Sequence, residues 1–235
     1  MITQKVNAVF GESKVLRGVI VQEGHPMEKF TRLAKLKDAD LLLLGRKKSL
    51  KGSGIVSSKI ARNSHCSLLI VPQRPSMNIS RILIPIDFSG HSKLSLEAVE
   101  QIARQTGAKI ECVHIYEVPS GYHTTGKSYE EFAEIMKGHA VHDFENFIRE
   151  GNFDEVPHCT YLLHKRKKKC ELINNLAHDI HSDMMVVGSR GRTSAAVVLM
   201  GSVAEKLTYL DNDIPLMIVK RKGENMDFLE AIMRI

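Results

Sequence analysis

Met184-Met185-Val186-Val187-Gly188-Ser189-Arg190-Gly191-Arg192-Thr193, followed by Met200-Gly201-Ser202-Val203, decides how this chain is read. Four apolar residues run straight into a glycine, as a buried parallel strand does at its carboxyl end. Two residues separate Gly188 from Gly191, and nine separate Gly191 from Gly201-Ser202. Glycines so placed let the backbone take φ > 0 and let a ligand approach main-chain N–H groups with no Cβ in the way. From Ser202 on, Val203, Ala204, Glu205, Lys206 and Leu207 read as the start of a helix. Its free N–H groups and positive dipole end suit a phosphate.

Working outward, the chain repeats itself. Asp40-Leu41-Leu42-Leu43-Leu44-Gly45 aligns without gaps on Asp183-Met184-Met185-Val186-Val187-Gly188. Val56-Ser57-Ser58-Lys59-Ile60 matches Val203-Ala204-Glu205-Lys206-Leu207, and Leu68-Leu69-Ile70-Val71 matches Leu216-Met217-Ile218-Val219. The repeat sets the architecture. We divide the chain at 1–77, a shortened first copy, 78–222, a full copy, and 223–235, an amphipathic tail carrying Phe228, Leu229, Ile232 and Met233.

The second copy alternates strands and helices. Strands are expected at Arg81 to Ile86, Ile110 to Tyr116, Cys159 to Leu163, Met184 to Val187 and Leu216 to Val219. Helices are expected at Lys93 to Thr106, Glu130 to Glu150, around Leu172 to Ile180, and from Val203. That alternation means a parallel α/β sheet with right-handed crossovers, its ligand beyond the carboxyl ends of the strands at a switch point. Asp87 and Gly188 both fall at such ends.

These motifs resemble the universal stress protein family. The glycine spacing is similar to that family's nucleotide-binding signature, and Ile84-Pro85-Ile86-Asp87-Phe88-Ser89 to its first strand and the acidic residue ending it. The resemblance covers roughly residues 79–222, and 18–72 more weakly. It implies the adenine-nucleotide alpha-hydrolase-like (Rossmann-like) fold with strand order 3-2-1-4-5, in two tandem copies of which the first is incomplete. It also implies ATP, with or without Mg, as the ligand. Carried over residue by residue, it places the base beside Pro85, Ile86 and Ile115, the ribose on Asp87, and the phosphates at Gly188, Gly191, Gly201, Ser202 and Val203, with Val187 also in the nucleotide site. An acceptor-only carboxylate suits two ribose hydroxyls. Arg190 and Arg192, flanking the loop, are placed to screen phosphate charge.

The first copy departs from the pattern. Gly45-Arg46-Lys47-Lys48 puts Lys where the second glycine belongs, Gly54 follows Gly45 after nine positions instead of thirteen, and Ile55 replaces the serine. Only Val19 to Val21 precedes it as a strand-like run, so strands three to five are all it can supply, and no nucleotide is expected there. The family resemblance implies that Leu68 to Val71 and Leu216 to Val219 pair antiparallel within the chain. Two outcomes are expected for the missing strands: a homodimer completed by the first half, or a true start upstream of Met1.

Other features bound the function. A hydrophobic content of 43% and charged content of 26% are those of an ordinary globular chain. No apolar run approaches the roughly 18 residues that span a bilayer, and Met1 to Glu12 do not read as a signal peptide, so the cytoplasm is the expected location and no membrane partner is expected. Cys66, Cys112, Cys159 and Cys170 show no metal or redox spacing, and Cys112 reads as a small core residue. His114, mid-strand, reads as a satisfied core or structural histidine. There is no Walker-type loop, no carboxylate cluster for metals and no nucleophile with a base, so a binding protein is expected, with at most weak ATP hydrolysis. The first 78 residues hold 14 Lys and Arg against 5 Asp and Glu, the rest 19 against 22. With the run Lys165-Arg166-Lys167-Lys168-Lys169, read first as a solvated loop, this supports an alternative: an interaction module that holds an anionic partner without nucleotide. Nucleic acid is not expected, because no aromatics interleave with the cations and no helix-turn-helix or zinc pattern occurs. The leading expectation is a stress-response sensor or regulator that binds ATP in its second half.

Overall fold

A computed structural model describes residues 20–46, 53–75, 78–192, 200–210 and 213–222. The first half contributes α1 (Pro26–Leu36), β1 (Leu41–Arg46), α2 (Ser53–Asn63) and β2 (Ser67–Pro72). The second half runs β3 (Arg81–Pro85), α3 (Gly90–Thr106), β4 (Lys109–Tyr116), a 3-10 turn (Tyr122–Thr125), α4 (Tyr129–Gly151) and β5 (His158–Leu163). It ends with α5 (Lys169–Asp179), β6 (Met184–Gly188), α6 (Ser202–Tyr209) and β7 (Leu216–Val219).

Local chemistry sets these limits. Pro26 opens α1 at a position where its missing N–H costs nothing. Ser89 caps α3 by accepting from the Ser92 N–H, and Gly107 ends that helix in the left-handed region at φ 73°. Ser128 and Glu131 close a reciprocal capping box on α4.

The strands form one seven-stranded sheet in the order β1-β2-β7-β6-β3-β4-β5. Every neighbouring pair is parallel except β2 and β7, which run antiparallel with Leu68 opposite Ile218, Leu69 opposite Met217 and Ile70 opposite Leu216. The whole-sheet order differs from a repeated 3-2-1-4-5, since among the described residues the first half contributes β1 and β2 to it. Helices on both faces give two cores. Met185 and Val187 of β6 point into one with Ile60, Leu68, Ile173 and Leu207, while Met184 and Val186 point into the other with Ile84, Leu96, Val99 and Phe147. All five β6 residues are buried, which is why that strand reads as an unbroken apolar run.

One expected strand is not formed among the described residues. Ile20 and Val21 are exposed, Val21 by 81%, and lie outside the sheet, while Val19 falls outside the described residues. Pro26 starts a helix five positions after Val21, which leaves little chain for a strand there. The first half therefore supplies two strands among the described residues, not three. Lys47, Lys48, Thr193 and the tail at 223–235 also lie outside them.

Because β7 is hydrogen-bonded to both halves, the two should melt together. Ile218→Ala, at a side chain with no exposure, should cost about 2–5 kcal/mol of stability. Chemical denaturation followed by circular dichroism should show one transition at a lower midpoint, and two separate transitions would contradict the shared sheet.

Candidate functional site

Where β3 and β6 run side by side, their crossovers leave in opposite directions, and a cleft of about 370 Å³ opens above their carboxyl ends. All twelve residues singled out in the sequence line it. Pro85, Ile86 and Asp87 come from the end of β3, Ile115 from β4, and Val187 and Gly188 from β6. Arg190, Gly191 and Arg192 follow in the loop after β6, and Gly201, Ser202 and Val203 open α6. The sheet order gives the cleft a direction: the glycine loop lies over β6, Asp87 over β3, and the far end over β4.

Asp87 is tightly held. Its Oδ1 accepts from the Ser92 hydroxyl at 2.7 Å and the Ser89 N–H at 3.2 Å, and its Oδ2 accepts from the Arg192 N–H at 2.6 Å. The Asp87 N–H in turn donates to Ser92 Oγ at 3.0 Å. Burial pushes this carboxyl up, but the Ser89, Arg192 and Ser92 donors outweigh it and hold it below its ordinary value. The charged acceptor is thus set for hydroxyl donors at neutral pH. Asp87 and the cap of α3 are one arrangement, so the carboxylate is both part of a helix start and part of the cleft.

The glycines of the loop serve space, not φ. None of Gly188, Gly191 and Gly201 has a positive φ, which corrects the expectation from sequence. A Cβ on Gly191 would sit 2.6 Å from Asp87 Oδ2, and one on Gly188 would meet His91 at 3.1 Å. Gly191, and less tightly Gly188, thus leave room for the loop to close on Asp87 and on α3, while Gly201 has only ordinary contacts from 3.4 Å outward. The left-handed residue is Phe88, at φ 63°, a conformation that costs an L-residue roughly 1–2 kcal/mol. Its ring stacks on His114 with centroids 4.4 Å apart and planes 22° apart.

At the loop's far end, the Gly201 N–H donates to the Ser189 carbonyl at 2.7 Å, and Ser202 starts an eight-residue helix. N–H groups of the first turn of α6 thus face the cleft. Sequence reasoning missed the other walls: Ser92, His114, Met136, His139, Asp143 and Lys169. Met136, Ala140 and His139, Asp143 are spaced i, i+4 on α4, a signal visible in the sequence but meaningful only once α4 is known to cover the cleft. Among the described residues no group of three or more His, Cys, Asp or Glu is placed to hold a metal, and no helix is long and apolar enough to cross a membrane.

Comparison with known proteins places this geometry. The sequence model of the universal stress protein family matches residues 3–72 and 78–220. The universal stress protein MJ0577 of Methanocaldococcus jannaschii is 26% identical over 163 residues, covering 63% of this chain and 99% of that protein. A functionally unknown protein from Pseudomonas aeruginosa superposes with a TM-score of 0.70 at 14% identity, covering 100% of this chain and 82% of the other. A universal stress protein from Archaeoglobus fulgidus superposes at 0.58 with 17% identity, covering 95% and 74%. At these identities the superpositions show a shared fold.

The depressed carboxyl of Asp87 has a pH signature. A carboxylate whose native pKa lies below its unfolded value adds stability above the unfolded value, and that stability is lost as pH falls through the native one. The difference in thermal stability between the wild type and Asp87→Asn should therefore be largest at neutral pH and shrink below about pH 4. A difference constant from pH 7 to pH 3 would show that Asp87 is not ionised in the fold.

Proposed function

The chain belongs to the universal stress protein family, and on that premise we propose that its second half binds ATP and acts as a stress-response sensor or regulator. The observation that carries this reading is the convergence in one cleft of an ionised Asp87, a glycine loop too close for side chains, and the start of α6. A phosphate chain lies against the N–H groups of the loop and of α6, with Arg190 and Arg192 beside it. The ribose hydroxyls donate to Asp87, and the base lies over Ile86 and Ile115 toward β4. Any Mg²⁺ would enter on the nucleotide's phosphates and its own waters, since the described residues build no carboxylate cage for one. The reading is of binding, with nucleotide occupancy as the signal.

Calorimetry tests it. The wild type should bind ATP, and Gly191→Val should abolish binding by driving a branched Cβ into Asp87 and the phosphate path. Asp87→Ala should weaken ATP by about 1.5–3 kcal/mol, the range for hydrogen bonds to a charged group. Unchanged affinity in both variants would overturn the assignment. Adenine nucleotide found by mass spectrometry on the purified protein would add independent support.

We also propose that the protein is a homodimer joined through β1. Beyond the sheet's β1 edge no strand pairs with it among the described residues, and Leu41 and Leu43 are exposed, Leu43 by 63%. An open apolar edge of this kind is a template for a second copy. Light scattering should give a dimer for the wild type and a monomer for Leu43→Lys.

A further inference from the structure

His114 reads from sequence as a structural core histidine, yet the fold sets it in the wall of the cleft. Its Nδ1 lies 2.9 Å from the Ile86 carbonyl. A carbonyl only accepts, so Nδ1 carries the hydrogen and donates. The residue it holds is the one immediately before Asp87. The residue immediately after Asp87 is Phe88, and its ring is the one stacked on the His114 imidazole. Phe88 also packs at 5.8 Å against Phe147 of α4. One side chain on β4 therefore grips both neighbours of Asp87: a hydrogen bond on the N-terminal side and a ring stack on the C-terminal side. Between those grips the backbone passes through the left-handed turn at Phe88.

We propose that His114 is the positioning residue that aims Asp87 at the ribose of the bound nucleotide. The inference rests on the ATP reading above. The turn needs such a brace, because a left-handed Phe relaxes unless its surroundings over-determine it. Relaxation there would rotate the Asp87 carboxylate away from the Arg192 N–H and out of the cleft. Burial pushes the His114 imidazole below its ordinary value, so the ring is neutral at pH 7. The charged groups around it are Arg192 of the loop after β6, Asp87 of the turn after β3, and Asp143 of α4. A neutral ring adds no charge of its own to the site of Asp87, so its contribution there is geometric.

The test compares ATP with 2′,3′-dideoxy-ATP by calorimetry on the full chain. His114→Phe keeps the ring and loses the donor, and His114→Leu loses both. Either should weaken ATP about three- to tenfold, the worth of one ordinary hydrogen bond, and leave dideoxy-ATP unchanged. His114→Asn, whose amide can donate from the Nδ1 position but has no ring to stack, should recover part of the ATP affinity. Combined with Asp87→Ala, the His114 change should add nothing further. A purely structural role would weaken both nucleotides equally, and that result, or additivity in the double variant, would overturn the proposal while leaving ATP binding intact. A wild type that binds neither nucleotide would overturn the ATP reading and this inference with it.

Discussion

The antiparallel seam between β2 and β7 is the contact on which the rest of the molecule depends. Each is the last strand of its half, and each would otherwise present an unpaired apolar edge. Their pairing removes both edges and lets Leu44, Ile60 and Leu68 of the first half share one core with Met185, Leu207 and Leu216 of the second. The seam is reinforced at its end. The buried Lys220 ammonium donates to the Ser64 carbonyl at 2.7 Å, its N–H donates to Ser67 Oγ at 3.1 Å, and Lys222 reaches Asp38 at 2.9 Å and Asp40 at 2.8 Å. From there main-chain bonds lead to the cleft: the Ser189 N–H donates to the Val219 carbonyl at 2.9 Å, and the Ser189 carbonyl accepts from Gly201. The loop that closes on Asp87 thus hangs directly from the strand that holds the halves together.

Much of this was legible in the sequence, and for a physical reason. Met184 to Val187 is apolar on both faces because β6 is buried on both, and Leu172, Ile173, Leu176 and Ala177 share a helical stripe because α5 covers one core. Patterns of period two and 3.6 record burial, and burial is what most of the second half consists of. The glycines were legible as positions but not as causes. Their spacing showed that side chains were excluded, while the excluding group, Asp87 across the cleft, is about a hundred residues away and has no local signature. Val19 to Val21 has a strand's composition, but composition supplies no neighbour with which to pair, and Ile20 and Val21 lie outside the sheet. His114 was read as a core residue because strand alternation does not say that one face of β4 opens into a cavity above Asp87.

The site concentrates several costs in one place. A carboxylate is buried, a phenylalanine is left-handed, and the loop at Gly191 approaches Asp87 more closely than a side chain allows. Each is tolerated because another answers it. The donors from Ser89, Ser92 and Arg192 offset the desolvation of Asp87, and the His114 stack holds Phe88 in its turn. Such mutual dependence is what fixes an acceptor to within a fraction of an ångström before any ligand arrives. A looser arrangement of the same residues would have to order them at the expense of binding affinity.

Two positions of the first half that match the cleft's loop make contacts of another kind. Arg46, at the position matching Ser189, turns its guanidinium to the Thr208 and Leu210 carbonyls, where a cation meets the negative end of α6. Gly54, the counterpart of Gly201, lies where a Cβ would come within 2.8 Å of that same Thr208 carbonyl. Gly45, by contrast, has open space around it, unlike its counterpart Gly188. The first half thus keeps both glycines, but only Gly54 is pressed against the end of α6. The N-terminus of α6 opens onto the cleft and its C-terminus is held by Arg46, so the first half braces the helix whose first turn lines the cleft.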